Sequence, residues 1–238
     1  MHDLLIRHGT IYDGSGGAPI SADIAIDGDT IATIGPAAGP ARQTIDAAGL
    51  AVAPGFINLM CWANASLLHD GRSQSDIRQG VTLEILGEGW SMGPLNDALK
   101  TYMVERQGDI RYDIEWTTLR EYLEHLVRRG VSCNVASFVG AGGVRANVLG
   151  FANRRPDGKE LARMEALVRQ AMAEGAVGLS AALIYSPDSY ADTTELIALA
   201  RAAAEYDGLF AAHLRSEGET FLEALDEFLT IVGAAGIR

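Results

Sequence analysis

The chain has 238 residues, with 19 Lys+Arg against 31 Asp+Glu and a formal net charge of −12. Apolar residues make up 48% of it, which is enough for a sizeable core and excludes intrinsic disorder. The acidic balance argues against nucleic acid or an anionic membrane surface as a partner, since both call for a basic face.

The N-terminus, MHDLLIRHGT, places Asp3 and Arg7 where a signal peptide would carry its apolar region, so export is not expected. LLIRHGTIYDG and ADIAIDGDTIATIG then read as short strands. Asp27-Gly28-Asp29, between Ile24/Ile26 and Ile31/Ile34, predicts a hairpin turn. These strands are too few to stand as a domain alone. The stretch from Ala47 to Met60 is nearly uncharged, but Gly, Pro and Asn interrupt it and it is shorter than the ~18 residues a membrane span needs.

From Ala51 the pattern becomes strand, then helix, repeated. Five apolar runs, at 52–60, 81–87, 131–140, 176–184 and 209–214, predict buried strands. Amphipathic helices separate them. Thr118-x-x-Glu121 predicts a capping box for a helix whose face is Leu119, Tyr122, Leu123, Leu126 and Val127. Leu161, Met164, Leu167, Val168 and Met172 form the stripe of the next. Asp192-x-x-Glu195 opens a third, closed by Gly208, and Phe221, Leu222, Leu225, Phe228, Leu229 and Val232 stripe a fourth. The expected class is α/β with a parallel sheet. On pattern alone it is either an open doubly wound sheet or part of a (β/α)8 barrel, and no glycine-rich phosphate loop follows the first strand. The domain division expected is 1–50 and 51–238.

Chemistry in such folds gathers where strands end. Those ends hold Asn58, Met60, Cys61, Trp62 and Asn64, then Glu88, then GAGGVR, then Tyr185, Ser186 and Tyr190, and last His213, Arg215 and Glu217. His213 closes an apolar strand and Glu88 sits in a glycine-flanked turn, so together they suggest a metal pair, although a catalytic zinc needs three protein ligands. His125 is expected on a solvated helix face. His2, His8 and His69 share no spacing with other ligands. Cys61 and Cys133 read as buried small residues and give no disulfide framework, which makes a reducing cytoplasm the expected compartment. Trp62 and Trp90 either line a pocket or pack under loops.

PGFIN-x-M-x-W, RQGVT, VGAGGVR, GLSAALIYSPDSY and AAHLRSEG, in this order, resemble the D-aminoacylases, which are N-acyl-D-amino-acid deacylases of the amidohydrolase superfamily. The resemblance implies a metal-dependent (β/α)8 TIM barrel preceded by strands of a small β-sandwich. The barrel would be incomplete in this chain, which would supply its first five units. It implies hydrolysis of C–N bonds other than peptide bonds in an N-acyl amino acid or related amide, with zinc as cofactor. His213 matches the family's strand-five metal histidine, and Tyr185, Ser186 and Tyr190, with Arg215, fall where the substrate pocket is shaped.

The chain departs from the family pattern at the metal. Asn58, Met60 and Trp62 replace an Asp and two His of the strand-one motif, and neither Met nor Trp is a zinc ligand. Gly89 stands in place of a metal-binding Cys, with Glu88 one place before it, and Ala141 replaces a His. The family's catalytic aspartate falls beyond the C-terminus of this chain. The reading that results is a single zinc ion held by Glu88, His213 and a later histidine, in a cytoplasmic hydrolase of unknown oligomeric state. Its alternative is a catalytically degenerate or truncated homologue that binds a small molecule or a partner.

Overall fold

A computed structural model describes residues 1–36 and 39–238, which separate into two compact units, Met1–Phe56 and Ile57–Arg238. In the first, alternating apolar residues build β1 (His2–Ile11), β2 (Ile20–Asp27), β3 (Thr30–Gly35), β4 (Ala41–Asp46) and β5 (Ala51–Val52). The hairpin expected at Gly28 joins β2 and β3 antiparallel, and β1 pairs β2 antiparallel. On its other edge β1 takes β4 and β5 in parallel. Leu5, Ile11, Ile24, Ala25 and Ala47 are buried. Another set, including Ile6, Ile26, Ile31 and Ile34, lines an open apolar hollow of about 280 Å3. His2 and His8 pair with Asp27 and Asp46 on this unit's surface.

The second unit alternates strands and helices: β6 (Phe56–Leu59), α1 (Asn64–His69), α2 (Gln74–Ile77), β7 (Val81–Leu86), α3 (Asp97–Glu105), α4 (Leu119–Arg129), β8 (Asn134–Ser137), β9 (Val139–Gly140), α5 (Ala141–Leu149), α6 (Gly158–Ala173), β10 (Gly178–Ala182), α7 (Thr193–Ala204), β11 (Leu209–His213) and α8 (Phe221–Ala235). β6 lies beside β7, which pairs β8 in parallel, while β9, β10 and β11 form a second parallel set. β8 and β9 are one strand bent at Phe138. The Phe138 amide donates to Leu86 on one side, and the Ser137 carbonyl accepts from Val177 on the other. The five apolar runs therefore lie in chain order, with no reversal. Beyond β11, the Phe210 amide donates to the carbonyl of Arg238 at 2.8 Å.

The local signals act as their chemistry dictates. Thr118 and Glu121 make the reciprocal capping box, and Asp192 accepts from the Glu195 amide at the start of α7. Asp157 and Glu160 make a second box, opening α6.

Four details differ from the sequence reading. The run at 52–60 is two strands, because Pro54 cannot donate within a sheet, and its first piece belongs to β1. Val127 is 77% exposed, leaving Leu119, Tyr122 and Leu126 as the buried face of α4. His125 is half-buried, its ring 5.2 Å from the buried Trp116. In α8 the buried residues are Ala224 and Ile231, while Phe221, Leu222 and Leu229 are exposed. The facing helix α7 is alanine-rich, and small side chains let the two helices approach closely. Among the described residues, no helix is long and apolar enough to cross a membrane.

Candidate metal centre

Glu88 is presented by a turn that only glycine permits. Gly87 and Gly89 on either side have φ of +95° and +62°, and a Cβ on Gly89 would strike Ala182 of β10. Ser180, also in β10, clamps the turn by donating to the Gly87 carbonyl and accepting from the Gly89 amide. Glu88 is thereby lifted out beyond the end of β7.

His213 ends β11, and its carbonyl accepts from the Leu183 amide at 2.9 Å. The two side chains meet although β8, β9 and β10 stand between their strands. Glu88 Oε1 lies 3.5 Å from His213 Nδ1. Each is held at its far end: the Trp62 indole N–H donates to Glu88 Oε2 at 2.7 Å, and His213 Nε2 is 3.2 Å from Glu217 Oε1. The Tyr185 ring tilts against the imidazole at 5.4 Å between centroids. These groups open on a cavity of about 410 Å3 lined also by Trp90, Ala182 and Asp188.

Asp188 is the functional candidate that the sequence reading missed. It is 1% exposed, accepts from the Ala182 amide at 3.0 Å through Oδ1, and leaves Oδ2 without a partner. Its carboxylate fits only because Gly142, in the first turn of α5, has no Cβ to collide with it. Burial pushes its pKa up to about 7, against the lowering effect of the amide bond.

The other residues singled out from sequence lie elsewhere. Ser186 is exposed, and Tyr190 sits half-buried in the turn Asp188–Tyr190 without lining this cavity. Arg215 spends its guanidinium on Glu227 and on the carbonyls of Ser189 and Ala191, so it ties down the loop that carries Asp188. Asn58 donates to Asp76 at 2.9 Å, Met60 turns the chain at φ +60°, and Ala141 is buried at the start of α5. Burial raises the Cys61 thiol above its ordinary range.

Among the described residues, no three His, Cys, Asp or Glu side chains converge on one point. Two do, and their chemistry suits zinc. Two ligand atoms at zinc-bond length on a tetrahedral ion stand about 3.4 Å apart, close to the Glu88–His213 separation. Glu88 also has the outer hydrogen-bond partner that zinc ligands carry, in Trp62, and His213 has a carboxylate, Glu217, at 3.2 Å behind it.

No family model matches the chain. It is 35% identical over 234 residues to D-aminoacylase of Alcaligenes xylosoxydans xylosoxydans, across 96% of this chain and 48% of that protein. This chain is a homologue of the D-aminoacylases. It spans about half the length of the curated relatives it matches. A solved D-aminoacylase, described as defining a novel subset of amidohydrolases, superposes with a TM-score of 0.87 at 32% identity, over 100% of this chain and 50% of its own. That enzyme is described as having a binuclear metal centre with one-metal activation and second-metal attenuation. The N-acyl-D-glutamate deacylase of Bordetella bronchiseptica, complexed with zinc and a phosphonate mimic of the tetrahedral intermediate, superposes with a TM-score of 0.88 at 30% identity, again over half its length.

Proposed function

We propose that this chain forms part of a metal-dependent amidohydrolase that hydrolyses C–N bonds other than peptide bonds, in the manner of an N-acyl-D-amino-acid deacylase. The observation that carries this reading is the Glu88–His213 pair: a carboxylate and an imidazole at zinc-ligand spacing, facing one cavity, each held from behind. Glu88 and His213 would supply two ligands of a single ion, and a histidine on the following strand the third. One-metal activation in the D-aminoacylase relative makes a site for one ion chemically sufficient.

When bound, zinc supplies a Lewis acid for the amide carbonyl and lowers the pKa of water. The chain's own residues do the rest. Trp62 keeps one oxygen of Glu88 occupied, which leaves the other facing His213. Glu217, with Oε1 3.2 Å from His213 Nε2, puts a carboxylate on the side of the ring away from Glu88. Tyr185, Trp62 and Trp90 wall the cavity with ring faces against which the amide would lie.

The unreversed strand order supports the first five units of a (β/α)8 barrel. Right-handed crossovers between neighbours in sequence put every helix on one side of the sheet, and a barrel is how the other side is then closed. The backbone of Arg238, hydrogen-bonded along β11, runs where a sixth strand would. The open apolar hollow on the β1–β3 sheet supports its being one layer of a small sandwich. We keep the cytoplasm as the compartment, in line with two free cysteines.

Metal analysis of the full-length protein and of its Glu88→Ala variant tests the reading. Metal in the first and little in the second is expected, together with hydrolysis of N-acyl-D-amino acids. Equal metal content in both overturns the ligand assignment. Metal retained with no hydrolysis of any N-acyl-D- or N-acyl-L-amino acid would leave a binding protein instead.

A further inference from the structure

A second cavity, of about 580 Å3, lies beside the one at the metal centre, and Trp90 lines both. Its lining is largely aromatic: Tyr102 stacks on Trp90 at 6.0 Å between centroids, and Tyr112 continues the wall. The segment 107–112 is closed on itself, since the Gln107 side-chain amide donates to the Tyr112 carbonyl at 2.7 Å and its oxygen accepts from the Tyr112 amide at 3.2 Å. Two charged side chains stand in this wall, Arg106 and Asp109. Among the described residues neither takes part in an ion pair, with the other or with any third residue. The Arg106 guanidinium rests 3.9 Å over the Tyr102 ring, a contact that leaves its N–H groups without an acceptor.

We propose that this cavity binds a free α-amino acid with an apolar side chain, its carboxylate on Arg106 and its ammonium on Asp109. A cation and an anion on one wall, each without a partner, suit a ligand that carries both charges. A ligand with one charge gains from one of these residues and is repelled by the other. The rings take the side chain, covering its carbon with π faces. The same two charges separate the two ends of a deacylation, a link that rests on the deacylase reading. An N-acyl amino acid has no ammonium for Asp109, and cleavage of its amide creates one. The cavity is thus selective for the product amino acid over the substrate. It adjoins the reaction through Trp90, whose amide donates to the Glu88 carbonyl at 2.6 Å.

The experiment is isothermal titration calorimetry of the full-length protein with three probes: D-phenylalanine, 2-phenylethylamine, which lacks the carboxylate, and 3-phenylpropanoate, which lacks the ammonium. The amino acid is expected to bind about fivefold more tightly than either analogue, the upper end of what one solvent-exposed ion pair contributes. Arg106→Gln is expected to erase the advantage over 2-phenylethylamine and keep the advantage over 3-phenylpropanoate. Asp109→Asn is expected to do the reverse. Both side chains are exposed, so neither substitution removes a packing contact of the core. No binding of D-phenylalanine, equal affinity for the three probes, or an advantage that survives in both variants would overturn the site. An advantage lost only in Glu88→Ala would place the amino acid at the metal centre and overturn it too. The crossed pattern in a protein that hydrolyses no N-acyl-D-amino acid would uphold the site and end the deacylase reading.

Discussion

The Trp62–Glu88 hydrogen bond is a sensitive point in the proposed metal centre. Trp62→Phe removes the indole N–H and keeps an aromatic ring in its place. A hydrogen bond to a charged group contributes about 1.5–3 kcal/mol. Trp62 is 65% exposed, so water replaces part of the lost bond and the expected loss is nearer 1 kcal/mol. In zinc affinity that is about a fivefold weakening, just below the 10- to 100-fold range typical of lost outer partners. The assay is zinc titration of the full-length protein against a competing chelator, for wild type, Trp62→Phe and Trp62→Ala, each also in a Glu88→Gln background. The two single variants should weaken zinc binding alike, and Trp62→Phe should cost nothing further once Glu88 is gone. Wild-type affinity in Trp62→Phe with a loss only in Trp62→Ala would show that the ring, not the N–H, matters, and would refute the reasoning.

Two other sites give sharp expectations. With Asp188 titrating near 7 in the folded protein and near 3.8 when unfolded, the native state holds an extra proton between those values. Its contribution to stability is therefore full below about pH 4 and is lost as pH rises through 7. Asp188→Asn should melt above wild type at alkaline pH, by an amount of the order of 4 kcal/mol, with the gap closing on acidification; a gap that ignores pH would count against the assignment. The ion pair of Arg145 and Glu195 is fully buried, and burial raises the Glu195 pKa against the pull of Arg145. Arg145→Met alone should cost about 3–5 kcal/mol in urea unfolding, with most of it recovered by adding Glu195→Leu. A double variant no more stable than the single would show that the pair does not act as a unit.

Local chemistry was legible in the sequence, and what depended on the fold was not. Thr118-x-x-Glu121 and Asp27-Gly28 announce a helix start and a hairpin because each needs only its neighbours in the chain. The second box, Asp157-x-x-Glu160, carries the same local signal. Glu88 and His213 could be picked out as strand-end residues, but their spacing depends on how five strands stack. Asp188 carried no signal of its own. It lies between Pro187 and Ser189 in a segment whose tyrosines drew attention, and the fold alone buries it against Gly142. His125 was misread for a similar reason. Helical spacing put it off the apolar stripe, but Trp116, from the segment leading into α4, folds back over it. Arg215 looked like a substrate group because of its charge at a strand end, and only the structure shows its donors already spent.

The separation of Glu88 from His213 across the sheet has a mechanical consequence. β8, β9 and β10 lie between the strands that carry them, so their spacing is set by the stacking of the whole sheet and by no single loop. An ion gripped by both acts as a strap across those strands. Its binding energy then counts toward holding them together, and heat resistance should track the free zinc concentration. Chelation, by the same linkage, would loosen β7 and β11 before it disturbed the helices packed behind them.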